Sequence, residues 1–133
     1  MANDVKEIGE IVWVDLTIPN AETVRDFYLA VAGWEASEFN MGDYSDYVVA
    51  TPEKKETVAG ICHTRGVNAD MPPQWLMYVK VRSLDASLEA ARGNGGEILA
   101  GPKSIGAARF CVLRDPAGAV FAIIEGEAGT VEA

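Results

Sequence analysis

Histidine occurs once and cysteine twice in these 133 residues. Each cysteine, Cys62 and Cys111, sits inside an apolar, strand-like run, and neither belongs to a Cys-x-x-Cys pair. Structural zinc and thioredoxin-type exchange therefore find no support. Free thiols in a reducing compartment are expected instead. A catalytic thiolate needs a basic neighbour. His63 follows Cys62 directly, but adjacent strand residues point to opposite faces, which argues against a catalytic pair. Basic residues are also scarce: 11 against 20 acidic ones, for a net charge of −9. That balance repels nucleic acid, whose binding depends on Lys and Arg, and disfavours anionic membranes. It favours cationic small molecules through long-range attraction. No apolar run approaches the roughly 20 residues that span a bilayer. Residues 1–7 show neither a basic n-region nor an apolar h-region, so the expected location is the cytoplasm.

What the chain does have is apolar bulk. Hydrophobic residues make up 49% of it, enough for a sizeable core in one domain or two small fused modules. The clearest local signal is Arg114-Asp115-Pro116-Ala117-Gly118, between the apolar runs Arg109–Leu113 and Ala119–Ile124. Asp bonds its own backbone, Pro fixes φ and Gly accepts φ > 0, so this stretch predicts a tight turn joining a β-hairpin.

Taken in order, residues 1–9 form a polar leader and Glu10–Ile18 a strand. Ile11, Trp13 and Asp15 share one face of that strand, and Val12, Val14 and Leu16 the other. Pro19-Asn20 opens a helix with Asn20 as N-cap. Val24, Phe27, Tyr28 and Val31 form its apolar stripe, and Gly33 closes it. Strands follow at Glu35–Met41, Tyr44–Thr51 and Thr57–Thr64, then a polar connector, Gly66–Pro73. The pattern then restarts: strand Trp75–Arg82, a helix Ala86–Arg92 capped by Asp85, short strand Glu97–Ala100, loop Gly101–Gly106 and the hairpin. The tail Gly126–Ala133 is small and polar and expected to fray. Trp34 and Trp75, at element ends, read as packing.

Strand–helix–strand–strand–strand thus occurs twice, with Asn20 and Asp85 at matching positions 65 residues apart. A unit of that size is marginal alone. Two of them sharing one sheet bury more and leave a concave cavity. The expected architecture is α/β: two βαβββ modules, 8–66 and 72–126, forming one curved mixed sheet around a cavity.

Asp15–Glu22 followed by Arg25–Tyr28 and Gly33-Trp34 resembles the first module of the vicinal oxygen chelate superfamily. Gly95-Gly96 and Asp115-Pro116-x-Gly118 resemble its second. The superfamily includes lactoylglutathione lyase, extradiol dioxygenases and bleomycin-resistance proteins, and the resemblance covers residues 8–126. It implies a divalent metal held by side chains from four strands, usually His and Glu. Carried over one position at a time, the ligand sites fall at Trp13, at Gly60, near Leu76 (or at Tyr78, by the internal repeat) and at Ala122, seven residues beyond Asp115. None of these side chains is a usual donor for a divalent metal. Asp15, Cys62 and Glu125 are the nearest candidates, but Glu125 lies an odd number of residues from Ala122 and should face away.

The resemblance therefore implies a metal-independent, cofactor-free small-molecule binder of the glyoxalase/bleomycin-resistance type. It is expected to act as a homodimer, with a cationic or aromatic ligand and no nucleic-acid or membrane partner. The alternative is a metal-dependent lyase, isomerase or dioxygenase, and whether any reaction is catalysed stays open. The expected ligand-binding residues are Trp13, Asp15, Cys62, Leu76, Tyr78, Lys80, Phe110 and Ala122. Trp13 would stack on a flat ligand or serve as plain core. Asp15 would meet a ligand cation or pair with Lys80, and Tyr78 would offer its hydroxyl or fill the core. Phe110 and Phe121 also read as packing. Tyr44 and Tyr47 have opposite parity, so only one can face inward.

Overall fold

The computed structural model describes residues 6–126. The chain runs β1 (Ile11–Ile18), α1 (Ala21–Ala32), β2 (Glu35–Asn40), β3 (Ser45–Ala50), β4 (Thr57–His63), a 3-10 turn (Gly66–Asn68), β5 (Trp75–Lys80), α2 (Leu84–Gly93), β6 (Glu97–Ile105), β7 (Ala108–Arg114) and β8 (Val120–Glu125). The expected α/β class and the doubled βαβββ order are both present. No helix among the described residues is long and apolar enough to cross a membrane. The expectations for the first five residues and for the tail beyond Gly126 lie outside the described residues.

The chain divides into two compact units. One spans Val14–Trp75; the other comprises the residues up to Trp13 and those from Leu76 onward.

In the Val14–Trp75 unit the strand order is β2-β3-β4-β1. β1 and β4 are parallel, with Asp15 opposite Gly60 and Thr17 opposite Cys62. β3 is antiparallel to both β2 and β4. Leu16, Ile18, Tyr47, Val49, Ala59 and Ile61 form a core with Ala21, against which Val24, Tyr28 and Leu29 of α1 pack. Because strand side chains alternate, Asp15, Thr17, Asp46, Val48, Gly60 and Cys62 belong to the face turned away from α1. The expected helix stripe is half right. Val24 and Tyr28 pack inward, but Phe27 and Val31 are 56% and 67% exposed; Ala21 and Leu29 take their places and rotate the buried face. Asn20 precedes α1 but makes no side-chain cap bond, whereas Gly33 closes it at φ 77°, its N–H donating to the Leu29 carbonyl. Trp34 and Trp75 pack as expected. Their rings lie 5.9 and 5.2 Å from that of Tyr28, and Trp75 Nε1 donates to the Tyr28 hydroxyl at 2.9 Å.

In the other unit the order is β5-β8-β7-β6, with β5 and β8 parallel. Tyr78 stands opposite Ala122, and Lys80 opposite Ile124. Leu84, Leu88, Cys111, Leu113 and Ile123 make the core against α2. The hairpin turn forms as expected: Asp115 Oδ1 accepts from the N–H groups of Ala117 and Ala119 at 2.8 and 2.9 Å, and Gly118 takes φ 96°. Two expectations fail. Ser83, not Asp85, caps α2, its hydroxyl accepting from Ala86 N–H at 3.2 Å, and Asp85 sits in the first turn. The segment from Gly101 to Ile105 is strand, not loop. β6 is an edge strand with register shifts at Ala100 and Lys103, where Gly and Pro are tolerated. Gly101 is required there: at φ +101° an added Cβ would lie 2.8 Å from the Phe110 carbonyl oxygen. The polar leader is also tied down at its end, as Gly9 N–H donates to the Lys80 carbonyl at 2.8 Å.

Candidate functional site

The face of the Val14–Trp75 unit turned away from α1 is unusual for a strand surface. Asp15, Thr17 and Asp46 are only 9%, 2% and 4% exposed. Cys62 lies among them on β4. Burial pushes its thiol pKa well up, and the charges of Asp15 and Asp46 push it further. A thiol held protonated in this way is not a nucleophile. Thr17 Oγ1 is fully buried, and the hydrogen-bonding group beside it is the Cys62 thiol, a weak partner.

Asp46 connects this face to the helix. Its Oδ1 accepts from His63 N–H at 2.8 Å and lies 3.1 Å from His63 Nδ1. His63 Nε2 lies 3.2 Å from Glu22 Oε2 in the first turn of α1. Carboxylates only accept, so both contacts are complete only when both ring nitrogens carry hydrogen. Contacts among Glu22, its own backbone N–H and His63 hold its carboxyl below the ordinary range, the backbone contributing most. The rings of Tyr44 and Tyr47 flank His63 at 5.5 and 6.1 Å. Burial raises both phenols, with Asp46 adding for Tyr44 and Glu22 for Tyr47. The parity argument for these tyrosines fails because Tyr44 precedes β3 and its alternation does not start until Ser45. The Arg65 guanidinium stacks 4.0 Å over Tyr44, and Arg25 lies 4.6 Å over Tyr47. Beside Arg25 a shallow cleft of about 200 Å³ opens, lined by Asp26, Leu29, Ala36, Ser37, Glu38 and Tyr47. Sequence reasoning missed the Asp46–His63–Glu22 group. Its one available signal was an acid inside an apolar strand, the same signal that picked out Asp15.

The remaining expected residues lie in the other unit. Leu76, Tyr78, Phe110 and Ala122 are all buried, Phe110 and Ala122 completely. The rings of Tyr78 and Phe110 meet at 5.6 Å. Lys80 Nζ donates to the Lys6 carbonyl at 2.8 Å. Trp13, the last residue of β1 in this unit, is half-buried. Glu125 is turned to structural use: its Oε1 accepts from Leu84 N–H at 2.6 Å and from Arg109 Nη2 at 3.3 Å. The backbone bond chiefly, and then Arg109, hold its pKa down.

The donor set does not fit the metal that the resemblance implies. Asp15 stands opposite Gly60, and Tyr78 opposite Ala122. A two-residue shift along β1 and β4 reaches Asp15 and Cys62, which are out of register with each other. Among the described residues no three His, Cys, Asp or Glu side chains gather as a metal-binding group.

Residues 10–123 match the sequence model of the Glyoxalase/Bleomycin resistance protein/Dioxygenase superfamily. The chain is 30% identical over 122 residues to "Putative glyoxylase CFP32" of Mycobacterium bovis, covering 91% of this chain and 46% of that protein. It is 30% identical over 127 residues to the anthracycline biosynthesis protein DnrV of Streptomyces peucetius, covering 86% and 46%. The chain therefore spans less than half the length of these curated relatives. Among solved structures it resembles the methylmalonyl-CoA epimerase from Mycobacterium tuberculosis at a TM-score of 0.54 and 14% identity, over 100% of both chains. It resembles hypothetical protein BH1468 from Bacillus halodurans at 0.56 and 10% identity, over 91% and 96%. At these identities the structural likeness is one of fold alone.

Proposed function

This chain belongs to the glyoxalase/bleomycin resistance protein/dioxygenase superfamily, and we propose that within it the chain binds a small organic molecule without a divalent metal. One observation carries the reading. The strand positions at which the family resemblance puts metal donors hold Trp13, Gly60, Leu76 and Ala122, and among the described residues no group of three His, Cys, Asp or Glu side chains supports a metal site. The ligand face proposed here is that of Asp15, Thr17, Asp46 and Cys62, where buried carboxylates suit a cation. The relative named for anthracycline biosynthesis is consistent with an aromatic ligand.

Two further parts of the reading rest on narrower support. Both cysteines are unpaired, which suits a cytoplasmic location. The exposed Phe27 and Val31, one turn apart on α1, suit a homodimer contact, which sedimentation analysis tests. The ligand reading is tested by calorimetric titration against a panel of aromatic amines and neutral aromatics. Saturable binding by at least one class is expected, and silence across the panel counts against a binder. Stoichiometric nickel, zinc or iron in protein purified without chelator would overturn the metal-free reading in favour of a metal-dependent lyase, isomerase or dioxygenase.

A further inference from the structure

We infer that the cleft lined by α1 and β2 is a second binding site, and that it takes a small zwitterion of the α-amino-acid class. The ligand carboxylate meets Arg25, its ammonium meets Glu38, and an aliphatic side chain lies on Leu29 and Ala36. The site falls within the Val14–Trp75 unit and goes beyond the binder reading above, which concerns the face turned away from α1.

Size comes first. The cleft holds about 200 Å³, less than the roughly 300–1,000 Å³ of ordinary ligand pockets, so its occupant is small. Its walls carry opposite charges. Arg25 stands on α1 with its guanidinium 4.6 Å over the Tyr47 ring. Glu38 stands on β2, directly opposite Tyr47 in the antiparallel register, and side chains so paired share one face of the sheet. A cation and an anion thus flank one buried ring. Burial chiefly raises its phenol pKa, and the charges of Glu22, Arg25 and Glu38 all act on it. Arg25 pairs with its neighbour Asp26 rather than with Glu38: Asp26 Oδ1 lies 2.9 Å from Nε and 2.8 Å from Nη2. The Asp26 side chain is 65% exposed, and a pair so open to water contributes little. The guanidinium fork carries five N–H donors, and its Nη1 end lies outside that pair. These charges select the ligand. A simple anion would meet Asp26 and Glu38 as well as a net charge of −9. A simple cation would meet Arg25. A zwitterion answers both walls, with its carboxylate on the fork and its ammonium on Glu38.

The test follows backbone amide shifts of the whole, 15N-labelled chain by NMR during titration with three probes. L-Leucine carries both charges, 3-methylbutylamine lacks the carboxylate and 4-methylpentanoate lacks the ammonium. L-Leucine is expected to shift the amides of Arg25, Glu38 and Tyr47 saturably, with each half-ligand at least about tenfold weaker. Arg25→Gln should weaken L-leucine about tenfold and leave the amine unchanged; Glu38→Gln should weaken L-leucine likewise and leave 4-methylpentanoate unchanged. Urea midpoints report whether Arg25→Gln disturbs the fold by losing its stack on Tyr47, and Glu38→Gln, on an edge strand, keeps the test open if it does. Equal affinity for L-leucine and the amine overturns the inference, because the cleft then reads charge of one sign only. Unchanged L-leucine affinity in both variants overturns it. So does the absence of saturable shifts at the cleft, or shifts confined to Asp15, Thr17 and Asp46. None of these results bears on the binder reading, which the aromatic panel tests on the other face.

Discussion

Cys62 sits next to the chain's one histidine in sequence, yet its chemistry is governed by other neighbours. Burial and two carboxylates hold the thiol protonated, while His63 turns to Asp46 and Glu22. Native protein at pH 8 should leave Cys62 unmodified by iodoacetamide and become labelled in urea; rapid native labelling would show an activated thiolate. His63 has the larger structural role. Replacing it with alanine removes the ring contacts to Asp46 and Glu22 while the backbone N–H still donates to Asp46, which should cost about 2 kcal/mol by urea denaturation. A loss under about 1 kcal/mol would mean the contacts are marginal. Glu125 predicts a pH dependence. The Leu84 N–H, then Arg109, hold its folded pKa below the ordinary 4.5. A depressed carboxyl contributes stability above its unfolded pKa and loses it as pH falls through the folded value. Wild-type urea midpoints should therefore fall more steeply below pH 4.5 than those of Glu125→Gln. Parallel curves would remove Glu125 from the account.

At the scale of elements, the two helices begin differently and should respond differently. Ser83 accepts from Ala86 N–H at the start of α2, so Ser83→Ala should cost about 1 kcal/mol. Asn20 makes no such bond, so Asn20→Ala should change stability by no more than a few tenths. Equal losses in urea denaturation would contradict these cap assignments. The same comparison shows where sequence is readable. The Asp115–Gly118 turn and the Gly33 helix end were legible because each depends on one residue's own backbone chemistry. The cap of α2 was not, since Ser83 and Asp85 are both good N-caps and only the strand's end decides between them. β6 was hidden because Gly101 and Pro102 read as loop until an edge position and register shifts accommodate them. Part of the candidate site was legible: the resemblance put Trp13 and Gly60 at corresponding strand positions, and Asp15 and Cys62 lie two residues beyond them. Asp46, His63 and Glu22 come together across sequence separations of 17 and 41 residues, which no local pattern encodes.

For the molecule as a whole, the doubled βαβββ order and the acidic composition point in compatible directions. Each unit packs its helix on one face of four strands, through Leu16, Ile18 and Ile61 in one and Leu84, Leu88 and Ile123 in the other. The family resemblance implies metal donors from such strands. At the positions it implies, this chain carries the indole, backbone and aliphatic groups of Trp13, Gly60, Leu76 and Ala122, while titratable groups gather around Asp46 and Cys62. Metal dependence and ligand binding should therefore be separable in this chain. Calorimetric titration with whichever aromatic probe of the panel binds, before and after exhaustive chelator treatment of the protein, measures that most directly. The account predicts the same affinity and stoichiometry in both titrations. Binding that disappears with the chelator and returns with added nickel or zinc would contradict it.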